Sequence, residues 1–352
     1  MLVAATSAAL GGCQLVLGFE DHELFPTDGG GGGAPTGGGP AGGGDTGGGA
    51  PTGFGDPEEV ASGLGSLEAV AMSGSDVYVL GQEPVGYRIL RSRNGATEVL
   101  VSQLVAARGL AAAGDEVITT HGPLDGSDEK CHVSAFAGED RRDLMTDAAD
   151  AGGNGFFAVA VFGDTVAASF LDLQGNSHSD VRIAPLAGGA TTLIGLGEDD
   201  SAAVPSIAAG NGLFLWVDSQ LDDVMSSTGV EVQGINNPPG DSVNTLAEGL
   251  TTLYEVVVES GVVYVARSGQ IASISVSGEA NELSAANAPR GLAADSSIVV
   301  WADATEVRAY LVETGEVVTL DQPDDEPTDV ALSASSVVYV TAGGRIVQIP
   351  RN

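Results

Sequence analysis

Residues 56–352 repeat one pattern of four short apolar strands separated by turns. In the clearest copy the four strands are Gly291–Ala294, Ile298–Asp303, Val307–Tyr310 and Val317–Leu320. A Gly-, Asp- or Ser-containing turn follows the first strand of each copy, and a glycine-containing turn joins the third strand to the fourth. The pattern indicates tandem four-stranded units with tight hairpins.

Alignment of the second strands gives one position in each of seven units. The aligned residues are Tyr78, Ile118, Ala167, Trp216, Tyr264, Trp301 and Tyr339. Their spacings are 40, 49, 49, 48, 37 and 38 residues. Four-stranded units at such a period are typical of propellers. The sequence therefore predicts an all-β fold, a single seven-bladed β-propeller.

The two ends of the repeat region complement each other. The last unit stops at its third strand, Arg345–Ile349, whereas an extra strand, Glu58–Ser62, precedes the first unit. This extra strand aligns with the fourth strand Thr97–Val101. We therefore expect the N-terminal strand to complete the last blade and close the ring, which hides both sheet edges.

The N-terminus has the pattern of an export signal with a lipid-attachment site. Met1–Gly12 is apolar, and Leu10–Cys13 matches the lipobox of bacterial lipoproteins, in which the cysteine is acylated. This segment is too short to span a bilayer and lacks a basic start, so we expect residues 1–12 to be a signal peptide truncated at its start. The alternative is a buried cysteine in an ordinary apolar N-terminus.

A glycine-rich segment separates Cys13 from the repeats. Residues 29–55 contain 16 Gly among 27 residues, which is typical of a flexible linker. We assign residues 13–55 to the lipidated cysteine and this tether, and residues 56–352 to the propeller. Gln14 follows the cysteine where an aspartate would indicate inner-membrane retention, so the lipoprotein sorting rule implies the outer membrane.

The repeat region is strongly acidic. The protein has 48 acidic residues, five of them in residues 1–55, which leaves 43 acidic against 13 basic residues in the propeller. Binding of nucleic acid or anionic lipid headgroups needs basic side chains, so neither partner is expected. Membrane contact is expected through the lipid anchor only. The alternatives for the acidic charge are solubility and a surface for cations or basic partners.

Two tripeptides resemble a known class of repeats. Trp216-Val217-Asp218 and Trp301-Ala302-Asp303, each after an apolar pair, resemble the Tyr-Trp-Thr-Asp class of propeller repeats. They are most similar to a Val-Tyr-Trp-Ala-Asp variant found in bacterial lipoproteins. The motif is intact in two units only. The resemblance implies the fold and does not imply an activity.

Acidic loops give the candidate binding surface. The loops between the second and third strands are long in units two to four and short in units five to seven. They lie on one face of a propeller, where loops on a rigid ring carry recognition. The candidate residues on this face are Asp125, Asp128, Asp172, Asp180, Asp222 and Asp223. They are candidates for calcium ligands or for contacts to a protein or glycan partner, and the alternative is solvated loop charge.

No motif in the sequence indicates catalysis. The four histidines show no metal-binding spacing, and we expect those of the repeats to fall in different blades. With Cys13 acylated, we expect Cys131 to be a small core residue that forms no disulfide. The sequence thus predicts an exported, monomeric cell-envelope lipoprotein that presents its propeller as a non-enzymatic binding or scaffold module. The alternative is a propeller hydrolase or lyase with a metal or carboxylate site at the channel mouth.

Overall fold

The structure is a computed structural model, and it describes residues 53–123, 130–138, 140–148, 155–172, 178–196, 206–210, 213–218, 223–227, 244–247, 253–275 and 279–352. Within these ranges all regular elements are β-strands. No helix in the same ranges is long and apolar enough to cross a membrane. The predicted signal peptide and most of the tether lie outside the described residues.

The strands form seven four-stranded antiparallel sheets, each called a blade below. Blade 1 comprises β2 (Leu67–Ser73), β3 (Asp76–Gln82), β4 (Tyr87–Arg93) and β5 (Ala96–Leu104). Blade 2 comprises β6 (Leu110–Ala113), β7 (Glu116–His121), β8 (Lys130–Ala137) and β9 (Asp140–Ala148). Blade 3 comprises β10 (Gly155–Phe162), β11 (Thr165–Asp172), β12 (His178–Pro185) and β13 (Thr192–Leu196).

The remaining four blades follow in chain order. Blade 4 comprises β14 (Ile207–Gly210), β15 (Leu213–Asp218), β16 (Asp223–Ser227) and β17 (Asn244–Ala247). Blade 5 comprises β18 (Leu253–Glu259), β19 (Val262–Arg267), β20 (Gln270–Ile274) and β21 (Ala280–Ala285). Blade 6 comprises β22 (Arg290–Ala294), β23 (Ile298–Ala302), β24 (Val307–Leu311) and β25 (Glu316–Asp321). Blade 7 comprises β26 (Pro327–Leu332), β27 (Ser336–Thr341), β28 (Ile346–Pro350) and β1 (Glu58–Ala61).

The first strands of the blades surround the axis of a closed ring. Going round the ring, β2 contacts β6, β6 contacts β10, and the series continues through β14, β18, β22 and β26 back to β2. A buried apolar cluster fills each interface between neighbouring blades. The chain is therefore an all-β propeller, as the sequence predicts.

The predicted ring closure is confirmed. β1 pairs antiparallel with β28, with Glu58 opposite Gln348 and Glu59 opposite Val347. The closure also extends beyond the predicted strand, because Phe54 forms a bridge to Arg351. Phe54, which the sequence analysis assigned to the linker, is 7% exposed and packs against the core between blades 6 and 7.

The aligned residues of the second strands occupy two registers, not one. Tyr78 and Tyr264 lie two residues after the residue that closes the first turn, whereas Trp216, Trp301 and Tyr339 lie three residues after it. Side chains alternate between the two sides of a strand, so this difference of one residue reverses the direction of the side chain. The two tyrosines of the first register pack toward the following blade, and the other three aromatic residues pack toward the preceding one.

Candidate functional site

The predicted acidic surface is described only in part. Asp172 ends β11 and Asp223 begins β16, so both border the second-to-third loops of their blades. Outside the described residues lie Asp125, Asp128, Asp222 and the predicted lipidation site Cys13.

Asp180 does not belong to an exposed loop, in contrast to the sequence interpretation. It lies within β12, is 4% exposed, and accepts a hydrogen bond of 2.7 Å from Arg182. Arg182 also binds Asp147 on β9 of blade 2 and stacks over the ring of Phe170, with 4.2 Å between its guanidinium carbon and the ring centroid. Asp180 therefore helps to join blades 2 and 3 through Arg182.

Cys131 meets one of the two expectations for it. Its side chain in β8 is 1% exposed, which confirms that it is a buried core residue. The prediction that it forms no disulfide is wrong, because Cys131 is disulfide-bonded. The sequence contains one other cysteine, Cys13, and a thioether at Cys13 would exclude a disulfide between the two.

The first strands begin on one face of the ring, called the mouth face below. Second strands end and third strands begin on the same face. Several first strands carry a β-bulge close to this end, at Leu67/Ala69 in β2, Leu253/Glu255 in β18 and Pro327/Asp329 in β26. A bulge inserts one residue that is not paired and turns its side chain away from the regular alternation. In β2 and β18 the inserted residues are Glu68 and Tyr254, both exposed.

Side chains from three blades meet on the mouth face. Glu68 is the second residue of β2, Tyr87 begins β4, Arg108 lies two residues before β6, and Phe157 lies near the start of β10. Tyr87 donates a hydrogen bond to the carboxylate of Glu68. The guanidinium carbon of Arg108 lies 4.4 Å from the centroid of the Phe157 ring, which is a cation–π contact. These four residues are called the mouth cluster below.

Partial burial controls the electrostatics of the mouth cluster. Loss of water raises the pKa of Glu68, although the Tyr87 hydroxyl and the positive charge of Arg108 lower it. Burial likewise lowers the pKa of Arg108 and raises that of Tyr87. The mouth cluster thus offers a carboxylate, a phenol, a guanidinium and an aromatic ring in one half-buried patch, which is the mixed chemistry of a small-ligand or peptide site.

Two further carboxyl groups lie between the first strands. Asp329 on β26 accepts a hydrogen bond of 2.7 Å from the backbone nitrogen of Val70 on β2. Glu255 on β18 accepts one from the backbone of Leu292 on β22. Removal from water raises the pKa of Asp329 to about 7 and holds that of Glu255 well above its ordinary range. Raised carboxyl pKa values are typical of groups that exchange protons near neutral pH.

A buried serine, a buried histidine and an exposed aspartate occur together in blade 2. His121 Nε2 lies 2.9 Å from Ser134 Oγ, and Ser134 donates a hydrogen bond of 2.7 Å to Asp143 Oδ1. In a catalytic triad the carboxylate orients the histidine, whereas here it binds the serine. Ser134 is fully buried, so no substrate can reach its hydroxyl. These residues form a structural polar network.

The histidine prediction is corrected by this network. His121 and His132 lie opposite each other on β7 and β8 of one blade, and their rings stack with 5.1 Å between centroids. The expectation that they fall in different blades was wrong, because the long loop between them hid the hairpin. Among the described residues, no group of three or more His, Cys, Asp or Glu side chains is placed to hold a metal ion.

Comparisons with known proteins show the fold. No family model and no curated protein sequence matches the chain. Selenomethionine-substituted virginiamycin B lyase from Staphylococcus aureus aligns with a TM-score of 0.63 at 10% identity, over 84% of this chain and 99% of the lyase. A catalytically inactive variant of that lyase with quinupristin gives 0.64 at 10% identity, with the same coverage. BamB from Moraxella catarrhalis gives 0.48 at 11% identity, over 81% of this chain and 85% of BamB. At such identities the likeness to the lyase concerns the fold alone.

Proposed function

We propose that this protein is an exported lipoprotein of the cell envelope whose propeller is a binding or scaffold module and not an enzyme. We further propose that in the mature protein the sulfur of Cys13 is acylated and takes no part in the disulfide that the structure gives Cys131. The lipobox pattern Leu10–Cys13 and the glycine-rich tether after it support the anchor. Gln14 after the cysteine supports the outer membrane over the inner one. The head is then a monomer that reaches its partner across a flexible linker.

The mouth cluster is the observation that carries the binding function. Its side chains come from three blades, remain partly exposed, and combine polar, charged and aromatic groups. Tyr254, 43% exposed at the start of β18, adds a further aromatic side chain on the same face. Such a surface suits a protein or glycan partner, because aromatic rings supply contact area and polar groups supply specificity. Asp172 and Asp223 border the second-to-third loops on this face, and we propose that they and the sequence candidates Asp125, Asp128 and Asp222 bind calcium or basic groups.

One observation favours the alternative of a propeller hydrolase or lyase. Glu255 and Asp329 have raised pKa values, and a carboxyl group that titrates near neutral pH can act as a general acid or base. Their position between the first strands is compatible with a site reached through the mouth of the ring. The two functions differ in outcome, since an enzyme converts the molecule that it captures and a binding module releases it unchanged.

A photo-crosslinking experiment in intact cells tests the binding function. A crosslinking amino acid replaces Tyr254 on the mouth face or, as a matched control, Val312, which is 37% exposed in the turn between β24 and β25 on the opposite face. We expect a discrete protein or glycan adduct from position 254 and none from position 312. In the Tyr254 background Glu68→Lys should reduce the adduct at least about tenfold, whereas Glu313→Lys, in the same turn as Val312, should not. Equal adducts from both faces would reject the mouth face as the binding surface.

A further inference from the structure

The outer edge of blade 1 differs from the outer edges of the other blades. Among the described residues, its outer strand β5 pairs with β4 on one side only. β5 is nine residues long and carries one charged side chain, Glu98, whose Oε1 atom lies 2.8 Å from Nε of Arg91. The outer strand β9 is equally long but carries five charged side chains, and the outer strands described for the other five blades are four to six residues long. Short or charged edge strands resist pairing with other chains, so β5 is the described outer strand that lacks both protections.

An apolar row of side chains runs across blade 1 to this edge. The row consists of Val70, Val79, Leu90 and Val99, which lie opposite one another on β2, β3, β4 and β5. The first three are buried against blade 7, whereas Val99 is 53% exposed. In blade 7 the corresponding row ends at Glu59 on β1. Blade 1 thus presents an apolar side chain at the edge where blade 7 presents a carboxylate.

The turn before β5 determines which of its backbone groups point outward. Asn94 and Gly95 both have positive φ and form a two-residue turn whose flanking residues lie opposite each other. The residues that flank such a turn exchange both of their backbone hydrogen bonds, and successive pairs then alternate between bonded and non-bonded. Thr97 and Val99 are therefore in non-bonded pairs with β4. Their N–H and C=O groups point away from β4, toward the outer edge.

The regular part of this edge is Ala96–Val99, because two bulges follow it in β5. These four residues are called the free edge below. The strand β1 is also four residues long, and it completes blade 7 by pairing with β28. A four-residue strand is therefore long enough to pair at an outer edge of this ring.

We propose that the free edge is a second interaction surface, to which an extended segment of another protein adds as a fifth strand of blade 1. Backbone hydrogen bonds to Thr97 and Val99 hold the segment, and one of its β-branched or aromatic side chains covers Val99. The segment is neutral or basic, because a protein with a net charge of −35 repels carboxylates. The free edge contains no residue of the mouth cluster, and the inference does not depend on the proposed function.

A synthetic strand peptide, acetyl-Lys-Val-Thr-Val-Thr-Val-Lys-amide, is the probe for the full-length protein. Its matched control is the same peptide with a methyl group on every Val and Thr nitrogen, which removes the backbone donors and keeps the side chains and the charge. We expect fluorescence anisotropy to show at least about tenfold tighter binding of the unmethylated peptide. A wild-type protein that binds neither peptide, or binds both equally, would overturn the inference.

A pair of lysine variants locates the bound peptide. Val99→Lys should weaken binding of the unmethylated peptide at least about tenfold, because it removes the apolar contact and repels the basic probe. Val312→Lys adds the same charge at an exposed position of blade 6 and should leave binding unchanged. Equal binding by the two variants would overturn the inference. A dimer of the wild type that Val99→Lys abolishes would overturn the partner, since the free edge would then pair with a second copy of this chain.

Hydrogen exchange of the wild type, measured by NMR, needs no variant to fold. In the protein without peptide we expect the amides of Thr97 and Val99 to exchange faster than the amide of Glu98, which is in a bonded pair with β4. Addition of the unmethylated peptide should slow the exchange of Thr97 and Val99 and leave that of Glu98 unchanged. Slow exchange of all three amides without peptide would show that the edge is already covered, and would overturn the inference.

Discussion

The arginines of this acidic protein are used largely to join neighbouring blades. Arg182 joins blades 3 and 2 through Asp147, and Arg142 of blade 2 donates a hydrogen bond of 2.9 Å to the carbonyl oxygen of Leu186 in the turn between β12 and β13 of blade 3. Arg351 at the C-terminus binds Asp295 of blade 6. Because the few cations bind between blades, much of the acidic excess is left for the outer surface and the loops.

Replacement of Asp180 tests its structural role. Asp180→Asn leaves Arg182 with one carboxylate partner in a largely buried position, so we expect a loss of about 1–3 kcal/mol in the free energy of unfolding. Asp164→Asn, at an exposed turn of the same blade, is the control and should change little. Urea denaturation measures both. An unchanged midpoint for Asp180→Asn would return this residue to the candidate binding surface.

The buried His121 predicts that the stability of the folded protein depends on pH. Burial lowers the pKa of His121 from 6.5 to about 4. The unfolded chain takes up a proton that the folded protein excludes, so stability decreases as the pH falls from about 6.5 toward 4. Unfolding free energies of the wild type and His121→Gln across this range should diverge on acidification. NMR titration of the His121 ring with a pKa near 6.5 would contradict the expected burial effect.

The sequence correctly predicted the burial of a residue whose environment is set by the local alternation of side chains. It failed for residues whose contacts come from neighbouring blades. The alternation around Cys131 correctly placed it in the core. Asp180 was misplaced because polar residues before it resembled a loop, whereas β12 already begins at His178. The mouth cluster was missed because its members are far apart in the chain. One signal for this region was present, namely a charged residue within an otherwise apolar first strand, as at Glu68, Glu255 and Asp329.

Among the strands, β1 is expected to contribute most to the stability of the ring for its length. It is four residues long, yet it supplies the outer strand of blade 7, and Leu64 after it donates a hydrogen bond of 3.1 Å to the carbonyl oxygen of Gly344. Removal of residues 56–65 should expose the edge of β28, cost several kcal/mol and promote oligomers. Calorimetry and light scattering measure both effects.

The control for this deletion removes residues 29–52, which keeps Phe54 and its bridge to Arg351. This variant should keep the wild-type Tm. If removal of residues 56–65 also leaves the Tm unchanged, β1 does not contribute to the stability of the ring.

The order of strands could be predicted from the sequence, but the exact register could not. Asn94-Gly95 between apolar strands predicts a tight hairpin, and both residues have positive φ, as such a turn requires. The sequence alignment of the second strands placed Trp216, Trp301 and Tyr339 at the same position as Tyr78 and Tyr264, but in the structure these three residues lie one position later in their strands. Aromatic side chains are favourable on either side of a blade that is buried on both sides, so residue type alone does not fix the direction.

At the scale of the whole molecule, the proposed N-terminal anchor is joined to the ring through a glycine-rich segment. The ring is closed by β1, which follows that segment. On this account the mouth cluster lies on the face of the ring to which the sequence assigns the acidic loops. The anchor depends on the chemistry of a single side chain, that of Cys13.

Mass spectrometry of the protein from the membrane fraction, produced from its own gene in its own host, tests the anchor most directly. We predict a mature N-terminus at Cys13 that carries a diacylglyceryl thioether, with the unprocessed precursor accumulating when the lipoprotein signal peptidase is inhibited. Cys13→Ala should no longer partition into detergent. A mature protein with an unmodified Cys13, or with Cys13 and Cys131 joined in a disulfide, would contradict the account.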